Sequence, residues 1–159
     1  MEVIALIDQM DRVLSEEQRL SVMEEQGCGK TGKANDLNRT FGRTHAGKSI
    51  EERISLIDDT TTNPHVPCRV NGDGTLSLYW EIGEKDNYKC VCACYRRLMK
   101  DQPETGSISK TFCGCCGGHI RHHYQNILGV KLKLKQVVST PISSGGKDRC
   151  EFLFDIVEG

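Results

Sequence analysis

The chain has 159 residues, of which 37% are hydrophobic and 27% are charged, a balance that is ordinary for one soluble globular domain. A formal net charge of −1 gives no electrostatic footprint for DNA or RNA, so we expect no nucleic-acid partner. The longest apolar run near the start, residues 3–7, is too short for a signal peptide or a membrane span. We therefore expect a cytoplasmic protein without membrane association and treat residues 1–159 as a single domain.

Two helices are predicted at the start of the chain. Apolar side chains recur at helical spacing over residues 3–14. Ser15 with Gln18 three positions later is typical of a capping box, which predicts that a second helix begins there. Gly27 supplies the backbone freedom with which a helix ends.

The next segment divides into a polar stretch and a third helix. Residues 30–48 are polar and contain glycine, which predicts a partly irregular segment weakly anchored by Phe41. Ser49 and Glu52 repeat the capping-box pattern before a short helix. Residues 1–58 are thus interpreted as a mainly helical segment.

From residue 66 onward the pattern changes to strands. Residues 71–74, Asn-Gly-Asp-Gly, have the chemistry of a tight turn, and apolar residues alternate over 76–82, which predicts a strand with one buried face. Apolar residues also alternate over residues 130–134 and 150–156, which predicts a second, C-terminal hairpin.

A further helix is predicted from Gly118 to its end at Gly129. Residues 66–159 then read as hairpin, cysteine loops, helix and C-terminal hairpin. Strands that follow each other should pair, so the predicted fold class is α+β: an antiparallel sheet with helices packed on one face and an N-terminal helical segment.

Six of the nine cysteines fall into two groups between residues 90 and 116. In the first group, Cys90, Cys92 and Cys94 stand at every second position, which places the three thiols on one side of an extended chain. In a helix the same spacing would splay them around the axis, so the group favours metal binding only in a strand or loop.

The second group is Cys113, Cys115 and Cys116, interleaved with glycines that let the backbone turn tightly. Because a helix is predicted to begin just after them, Cys115 and Cys116 lie at its N-terminus. The helix macrodipole there favours thiolate over thiol. Thiolates are required both for metal binding and for nucleophilic attack.

Three interpretations of these cysteines remain open. The first is metal binding: zinc takes four tetrahedral ligands, which two cysteine groups can supply. An iron–sulfur cluster is the alternative cofactor, although the cysteine spacing does not match ferredoxin motifs. A redox-active or nucleophilic thiol is the second interpretation. Packing of inert cysteines as small hydrophobic residues is the third. An odd number of cysteines in a reducing cytoplasm argues against a disulfide framework.

Additional candidate ligands lie outside the two groups. His119 and His123 are four positions apart on the predicted helix and face one direction, although a solvated helix face explains them equally well. Cys28 and Cys68 are candidates for completing a site, with packing as the simpler interpretation. Cys150 falls on the apolar face of the last predicted strand, where burial is the default.

A ligand pocket is also expected, because small-molecule sites are lined by apolar and aromatic side chains. Tyr79, Trp80 and Phe112 are the candidates for its walls.

The C-terminal segment resembles a known group of domains. Residues 128–132 and 147–152, with Leu-Gly followed by a strand, a turn and Asp-x-Cys-x-Phe, resemble the end of vinyl reductase-type small-ligand-binding domains. More closely, Cys90-x-Cys92-x-Cys94, Cys113-x-Cys115, a helix and then Cys150 resemble a family of uncharacterised cysteine-rich proteins of anaerobic bacteria. Some of these carry the name aminothiazoline-carboxylate hydrolase-like.

The resemblance covers the C-terminal half of the chain well and the first helices more weakly. It implies a small α+β domain, often a homodimer, with a small-molecule pocket and with zinc held by cysteines in some members. Ala93 stands where the family pattern has a residue such as Pro, and Cys116 where it has Ser.

Two functions follow from these observations. The first is a cysteine-ligated zinc site in a domain that binds or senses a small molecule. The alternative is a hydrolase of a small amide or thiazoline ring that uses a metal-activated water or a thiolate of Cys115 or Cys116.

Overall fold

The computed structural model describes residues 2–63, 66–101 and 108–157. Its elements confirm the α+β prediction: helices and a four-stranded antiparallel sheet. In chain order these are helices α1 (Glu2–Val13), α2 (Glu16–Glu25), α3 (Lys33–Thr44) and α4 (Ile50–Leu56), strands β1 (Cys68–Val70), β2 (Thr75–Trp80), β3 (Gly83–Glu84) and β4 (Asn87–Tyr88), helix α5 (Ala93–Asp101), a 3₁₀ turn (Lys110–Cys113), helix α6 (Gly114–Leu128), strand β5 (Lys131–Ser139), helix α7 (Pro141–Ser144) and strand β6 (Cys150–Val157).

The four-stranded sheet has the order β1-β2-β6-β5, and every neighbouring pair is antiparallel. The two hairpins predicted from the sequence are therefore joined through their inner strands, β2 and β6. Within this pair Leu78 lies opposite Phe152, and Trp80 lies opposite Cys150. The short strands β3 and β4 form a separate hairpin.

One face of the sheet is covered by helices. Leu76, Leu78, Phe152 and Phe154 are fully buried on this face. Helix α6 packs closely here because Gly117 lies so near Leu134 and Phe152 that an added Cβ would be 2.7 Å from the Leu134 side chain. The opposite face is polar: on it the guanidinium carbon of Arg149 lies 3.6 Å from the centre of the Tyr79 ring.

The helix ends follow the local sequence signals. Both predicted capping boxes are present, at Ser15 with Gln18 and at Ser49 with Glu52, each side chain bonded to the backbone N–H of the other residue. Gly129 ends α6 in the left-handed conformation at φ 69°.

The expectation of an irregular segment over residues 30–48 is wrong, because residues 33–44 form helix α3. The apolar stripe of this helix is interrupted by Asn38, a polar residue that is fully buried, and the helix contains Gly42. Gly42 is required by a close helix contact, since an added Cβ would lie only 2.0 Å from the Asn126 carbonyl oxygen of α6. Both features therefore arise from tertiary contacts.

Three smaller expectations also differ from the structure. Cys94 is in the first turn of helix α5, so the first cysteine group is not extended throughout. Helix α6 begins at Gly114, four residues before the predicted start. Strand β2 ends at Trp80, and Ile82 beyond it is 43% exposed.

Strand β5 is an edge of the sheet, and helix α2 lies over part of that edge. The Glu24 carboxylate, which is 5% exposed, accepts a hydrogen bond from the Leu134 backbone N–H at 2.8 Å. Its other oxygen lies 3.0 Å from the Arg121 guanidinium. Glu24 thereby ties α2, α6 and β5 together. In the described stretches, no helix combines the length and the apolar character needed to cross a lipid bilayer.

Candidate thiol site

The start of α5 and the start of α6 bring the two cysteine groups together. There the thiols of Cys115, Cys116 and Cys90 interact with the thiol of Cys92 and lower its pKa. Cys92 also precedes α5 in the manner of an N-cap: its carbonyl accepts the Arg96 N–H at 3.0 Å, and its sulfur accepts the Tyr95 N–H at 3.5 Å. We call Cys90, Cys92, Cys115 and Cys116 the four-thiol cluster.

Within the four-thiol cluster, the pKa of Cys92 is shifted in one direction and the pKa values of the other three thiols in the opposite direction. Hydrogen bonds from Cys115, Cys116 and Cys90 hold the pKa of Cys92 far below that of an ordinary thiol, against the opposing effect of burial. The same contacts, together with burial, raise the pKa of Cys90 and of Cys116. For Cys115, the bond with Cys116 lowers the pKa, but the contact with Cys92 and burial outweigh it and raise the pKa to about 11.

Backbone groups support two of the sulfurs. The N–H of Cys92 points at the sulfur of Cys90 at 3.4 Å, as the N–H of Tyr95 does at the sulfur of Cys92. Such N–H···S bonds stabilise thiolates, including those that bind metals. In contrast, the thiol of Cys115 donates to the Phe112 carbonyl oxygen at 3.5 Å.

The sulfurs of the four-thiol cluster are not arranged around a common metal position. Within the parts of the chain that the structure describes, no group of three or more His, Cys, Asp or Glu side chains stands as a metal-ligand set. Binding a metal in the four-thiol cluster would therefore require the thiols to lose their protons and turn toward a common point.

The other cysteines occupy three different environments. Cys94 is exposed at the outer side of the cluster, in hydrogen-bond contact with Cys92. Cys113 and Cys150 are buried behind the cluster, where burial raises the pKa of Cys150 to about 11. Cys68 lies apart in β1, and burial alone raises its pKa to about 12. All nine cysteines are free thiols.

Cys28 is held near the cluster by its backbone. Its carbonyl oxygen accepts a hydrogen bond from Nδ1 of His119, which is one helical turn after Cys115 on α6. The flanking glycines make this approach possible: an added Cβ on Gly27 would lie 2.5 Å from the His119 nitrogen, and one on Gly29 2.8 Å from the His119 ring. The Cys28 side chain is exposed.

His123 lies next to His119 but uses both ring nitrogens within the protein. The ring is fully buried; Nδ1 accepts a hydrogen bond from the Asn38 amide, and Nε2 donates to the Gly29 carbonyl oxygen, each at 2.8 Å. The Asn38 amide is oriented by the backbone of Asn63, to which it donates and from which it accepts. Burial lowers the pKa of His123 to about 4. Ligation by His123 would require breaking this network.

The candidate pocket residues do not lie on one surface. Trp80 is half-buried on the helix-covered face, where its ring meets the Phe152 ring edge-on at 6.2 Å. Phe112 is buried in the 3₁₀ turn that precedes α6. Tyr79 is on the opposite face of the sheet, beneath Arg149. Trp80 and Phe112 therefore share the layer that contains the cysteines, and Tyr79 does not.

Two residues that act on the cysteine thiols were not identified from the sequence. Tyr95 contributes through its backbone N–H, which no residue pattern reveals, although a Cys just before a helix is a signal for such a contact. Thr140, which is fully buried, forms a side-chain hydrogen bond with Cys113 that lowers the pKa of that thiol, while burial raises it more.

Comparisons of the chain with protein-family models, with curated proteins and with solved structures give no significant match.

Proposed function

We propose that the chain binds one zinc ion through Cys90, Cys92, Cys115 and Cys116, in a domain that binds or senses a small molecule. What supports the proposal is that the two cysteine groups meet at the starts of α5 and α6, where the thiols of Cys115, Cys116 and Cys90 influence the pKa of Cys92 and the Cys92 N–H lies 3.4 Å from the Cys90 sulfur. Two sequence segments, residues 90–92 and 115–116, each contribute two of these four thiols.

The donor set fits zinc by number and by type. Soft thiolates are favoured zinc ligands, and four of them complete a closed tetrahedral site with Zn–S bonds of about 2.3 Å. In such a tetrahedron neighbouring sulfurs are roughly 3.8 Å apart, which is close to the length of a hydrogen bond between two sulfurs. Binding of zinc would therefore require the four side chains to turn until their sulfurs reach this spacing.

The cluster residues would hold the ion, and the ion would crosslink the starts of α5 and α6. The N–H groups of Cys92 and Tyr95 would remain bonded to the sulfurs of Cys90 and Cys92 and delocalise their charge. A closed four-thiolate site has no open position for substrate. This supports binding or sensing rather than catalysis.

The small molecule is expected beside the cluster, on the side of Trp80 and Phe112. Trp80 lies directly opposite Cys150 in the sheet, and the pKa of Cys150 is raised by burial and by the charge of Cys92. A ligand there would contact an aromatic ring and a thiol layer at once. The resemblance to vinyl reductase-type domains points to the same class of function.

The metal content of protein purified without oxygen tests the proposal. We expect about one zinc per chain by elemental analysis and no visible absorption, whereas an iron–sulfur cluster, the alternative cofactor, would absorb visible light. Cys92→Ser and Cys115→Ser should lose the zinc. Cys68→Ser is the matched control, because Cys68 is also partly buried but lies in β1, and it should retain the zinc.

Wild-type protein that is metal-free and yet unfolds cooperatively would contradict the zinc proposal. Equal loss of zinc from Cys68→Ser and Cys92→Ser would also contradict it, because the loss would then be unrelated to the cluster.

A second candidate function is a thiol hydrolase acting on a small amide or thiazoline ring. What favours it is the direction of the pKa shifts: the pKa of Cys92 is lowered by its neighbours and by the Tyr95 N–H, whereas the pKa values of Cys90, Cys115 and Cys116 are raised. On a cyclic amide, the Cys92 thiolate would add to the carbonyl carbon, and the C–N bond would break as the nitrogen takes a proton from a neighbouring thiol. Water would then hydrolyse the thioester, which frees the acid and the Cys92 thiol. On a thiazoline, the thiolate would add to the C=N carbon, the ring C–S bond would break as the ring sulfur takes a proton, and water would hydrolyse the resulting thioimidate to an amide. From the sequence, Cys115 or Cys116 was the expected nucleophile. The lowered pKa of Cys92 favours Cys92 instead.

Alkylation by iodoacetamide distinguishes the two functions. A free Cys92 thiolate should react at a rate that is independent of pH between pH 5 and pH 8, and the reaction should disappear in Cys92→Ser. If every cysteine reacts with the pH profile of an ordinary thiol, the hydrolase candidate fails. If one zinc is bound and protects the cluster from alkylation, the zinc proposal is supported instead.

Three further properties belong to the same proposal. A cytoplasmic location would keep the nine free thiols reduced. Homodimer formation follows from the family resemblance. A small molecule, rather than nucleic acid, is the proposed partner, because the chain has a net charge of −1.

A further inference from the structure

A cleft lined by three arginines lies between α3, α4 and the end of α6. Its volume is about 400 Å³, which is within the range of small-molecule sites. No aspartate or glutamate lines it; the lining residues are Arg39, Gly42, Arg43, Ala46, Arg53, Gln125, Asn126 and Gly129. In a chain with a net charge of −1, such a concentration of positive charge is a local feature.

Arg53 is the buried member of the three. It is only 7% exposed, and its partners are carbonyl oxygens: Nε donates to Lys48 at 3.3 Å and Nη1 to Ile127 at 3.1 Å. Among the described residues, Nη2 has no protein acceptor. A buried guanidinium without a carboxylate leaves a positive charge that is only partly compensated.

Arg39 and Arg43 are one turn apart on α3, on the same side of the helix, and both are exposed. The only side-chain hydrogen bond recorded for either within the described chain is a weak one, from Nη2 of Arg43 to the Thr40 hydroxyl at 3.4 Å. Neither they nor Arg53 form an ion pair with a described residue.

The close contact of α3 with α6 keeps the cleft in one shape. Gly42 approaches the Asn126 carbonyl so closely that no larger residue fits. Gln125 is fixed by its Oε1, which accepts the Leu132 N–H at 2.8 Å, and this leaves its amide N–H₂ free to donate. The cleft thus presents three guanidinium groups and an amide donor on packed helices.

The end of α6 also explains part of this arrangement. A helix C-terminus carries about half a negative charge, which attracts cations. One guanidinium, that of Arg53, is sufficient to offset it. Among the described residues, the two remaining full charges, those of Arg39 and Arg43, have no counterion.

We propose that this cleft binds a small molecule through an oxyanion, either a phosphate or a cluster of carboxylates. Guanidinium groups bind both through paired N–H donors, and charge-assisted bonds are the strongest hydrogen bonds available to such a ligand. The cleft is separate from the four-thiol cluster, because Cys115 and Gln125 are ten residues apart on α6, or about 15 Å along the helix. The inference does not depend on zinc.

Titration of the full-length protein with pyrophosphate and with citrate, in a phosphate-free buffer at constant ionic strength, tests the proposal. Isothermal calorimetry should detect one saturable site for at least one of the two anions. Arg39→Ala with Arg43→Ala should weaken binding by about tenfold or more, since each charge-assisted bond contributes at least that factor. Both residues are exposed, so the double variant should fold.

Matched variants separate this site from general charge effects. Arg12→Ala with Arg96→Ala removes two exposed arginines elsewhere and should leave the affinity unchanged. Arg39→Lys with Arg43→Lys keeps the positive charges but removes the paired N–H donors of the guanidinium groups. This variant should retain part of the affinity. Tighter binding of pyrophosphate would identify phosphate compounds as the ligand class. Tighter binding of citrate would identify polycarboxylates instead.

Two results would overturn the proposal. One is the absence of saturable binding of either anion at constant ionic strength. The other is an equal loss of affinity in the Arg12/Arg96 control and in the Arg39/Arg43 variant.

Discussion

His119 donates a hydrogen bond from Nδ1 to the backbone carbonyl oxygen of Cys28. Since a carbonyl oxygen only accepts, the proton is on Nδ1 and the lone pair of Nε2 is left free. The bond fixes the loop between α2 and α3 onto the first turns of α6. The position of the exposed Cys28 thiol relative to the four-thiol cluster therefore depends on backbone contacts.

The glycine before Cys28 should be essential for that contact. Gly27→Ala would place a Cβ 2.5 Å from the His119 nitrogen and 2.6 Å from the Gly118 carbonyl carbon, both of them backbone atoms that cannot turn away. We expect a loss of about 1–3 kcal/mol in the free energy of unfolding, measured by urea denaturation.

Gly72→Ala is the control for this substitution, because nothing lies within 4 Å of the added Cβ. Its effect should stay within about 0.5 kcal/mol. Equal stability of the two variants would show that the loop does not pack on α6 as described.

The buried His123 should make stability depend on pH. Burial holds its folded-state pKa at about 4, against 6.5 for a free histidine, and the neighbouring His119 and His122 add to the lowering. Between these values the unfolded chain binds a proton that the folded chain does not. The stabilising effect is thus fully present above pH 6.5 and is lost as the pH falls toward 4, by up to about 1.4 kcal/mol per pH unit.

Urea denaturation from pH 4.5 to pH 7.5 measures this slope. His123→Gln should be less stable at pH 7, because it loses packing and one of the two hydrogen bonds. Its stability should nevertheless vary less with pH than that of the wild type. Parallel curves for the two proteins would assign the pH dependence to other groups.

The hydroxyl of Tyr124 should contribute to stability through two bonds to one residue. It donates to the Val66 carbonyl oxygen at 2.6 Å and accepts the Val66 N–H at 2.9 Å, and both residues are buried. Tyr124→Phe would leave both backbone groups of Val66 unsatisfied. We expect a loss of about 2 kcal/mol in the free energy of unfolding.

Tyr88→Phe is the matched control, since the half-buried Tyr88 has no side-chain hydrogen bond among the described residues. It should unfold at the same urea concentration as the wild type. If Tyr124→Phe did so as well, the two Val66 groups would have to find other partners.

Removal of zinc should lower thermal stability if the four-thiol cluster binds it. A structural zinc site adds its binding free energy to folding, so a strong chelator should lower the melting temperature of the wild type. Cys92→Ser, which lacks a ligand, should melt at one temperature with or without chelator. A wild type that is insensitive to the chelator would argue for the thiolate interpretation of Cys92.

Features set by neighbouring residues were predictable from the sequence. The capping boxes at Ser15 and Ser49 and the glycine end of α6 at Gly129 require only contacts within a few positions. The alternation that predicted both hairpins reflects the burial of one strand face, as for Phe152 and Phe154. These local rules were sufficient for the fold class.

Features that depend on distant partners were not predictable. Asn38 looks like a surface residue until its partners His123 and Asn63 are known. Because Asn38 interrupts the apolar stripe of α3, the sequence pattern did not predict this helix. Similarly, the spacing of Cys90, Cys92 and Cys94 is compatible with a strand, and only the helix beginning at Ala93 moves Cys94 to the outside.

The contact between Glu24 and Leu134 limits how this protein can associate. An uncovered edge strand invites another chain to continue the sheet, which leads to fibrils or to domain-swapped pairs. At Leu134 the outward N–H is already occupied by a buried carboxylate, and the strand at the opposite edge, β1, has only three residues. Pairing of two copies edge to edge at Leu134 would therefore have to displace the Glu24 carboxylate and leave it buried without that bond.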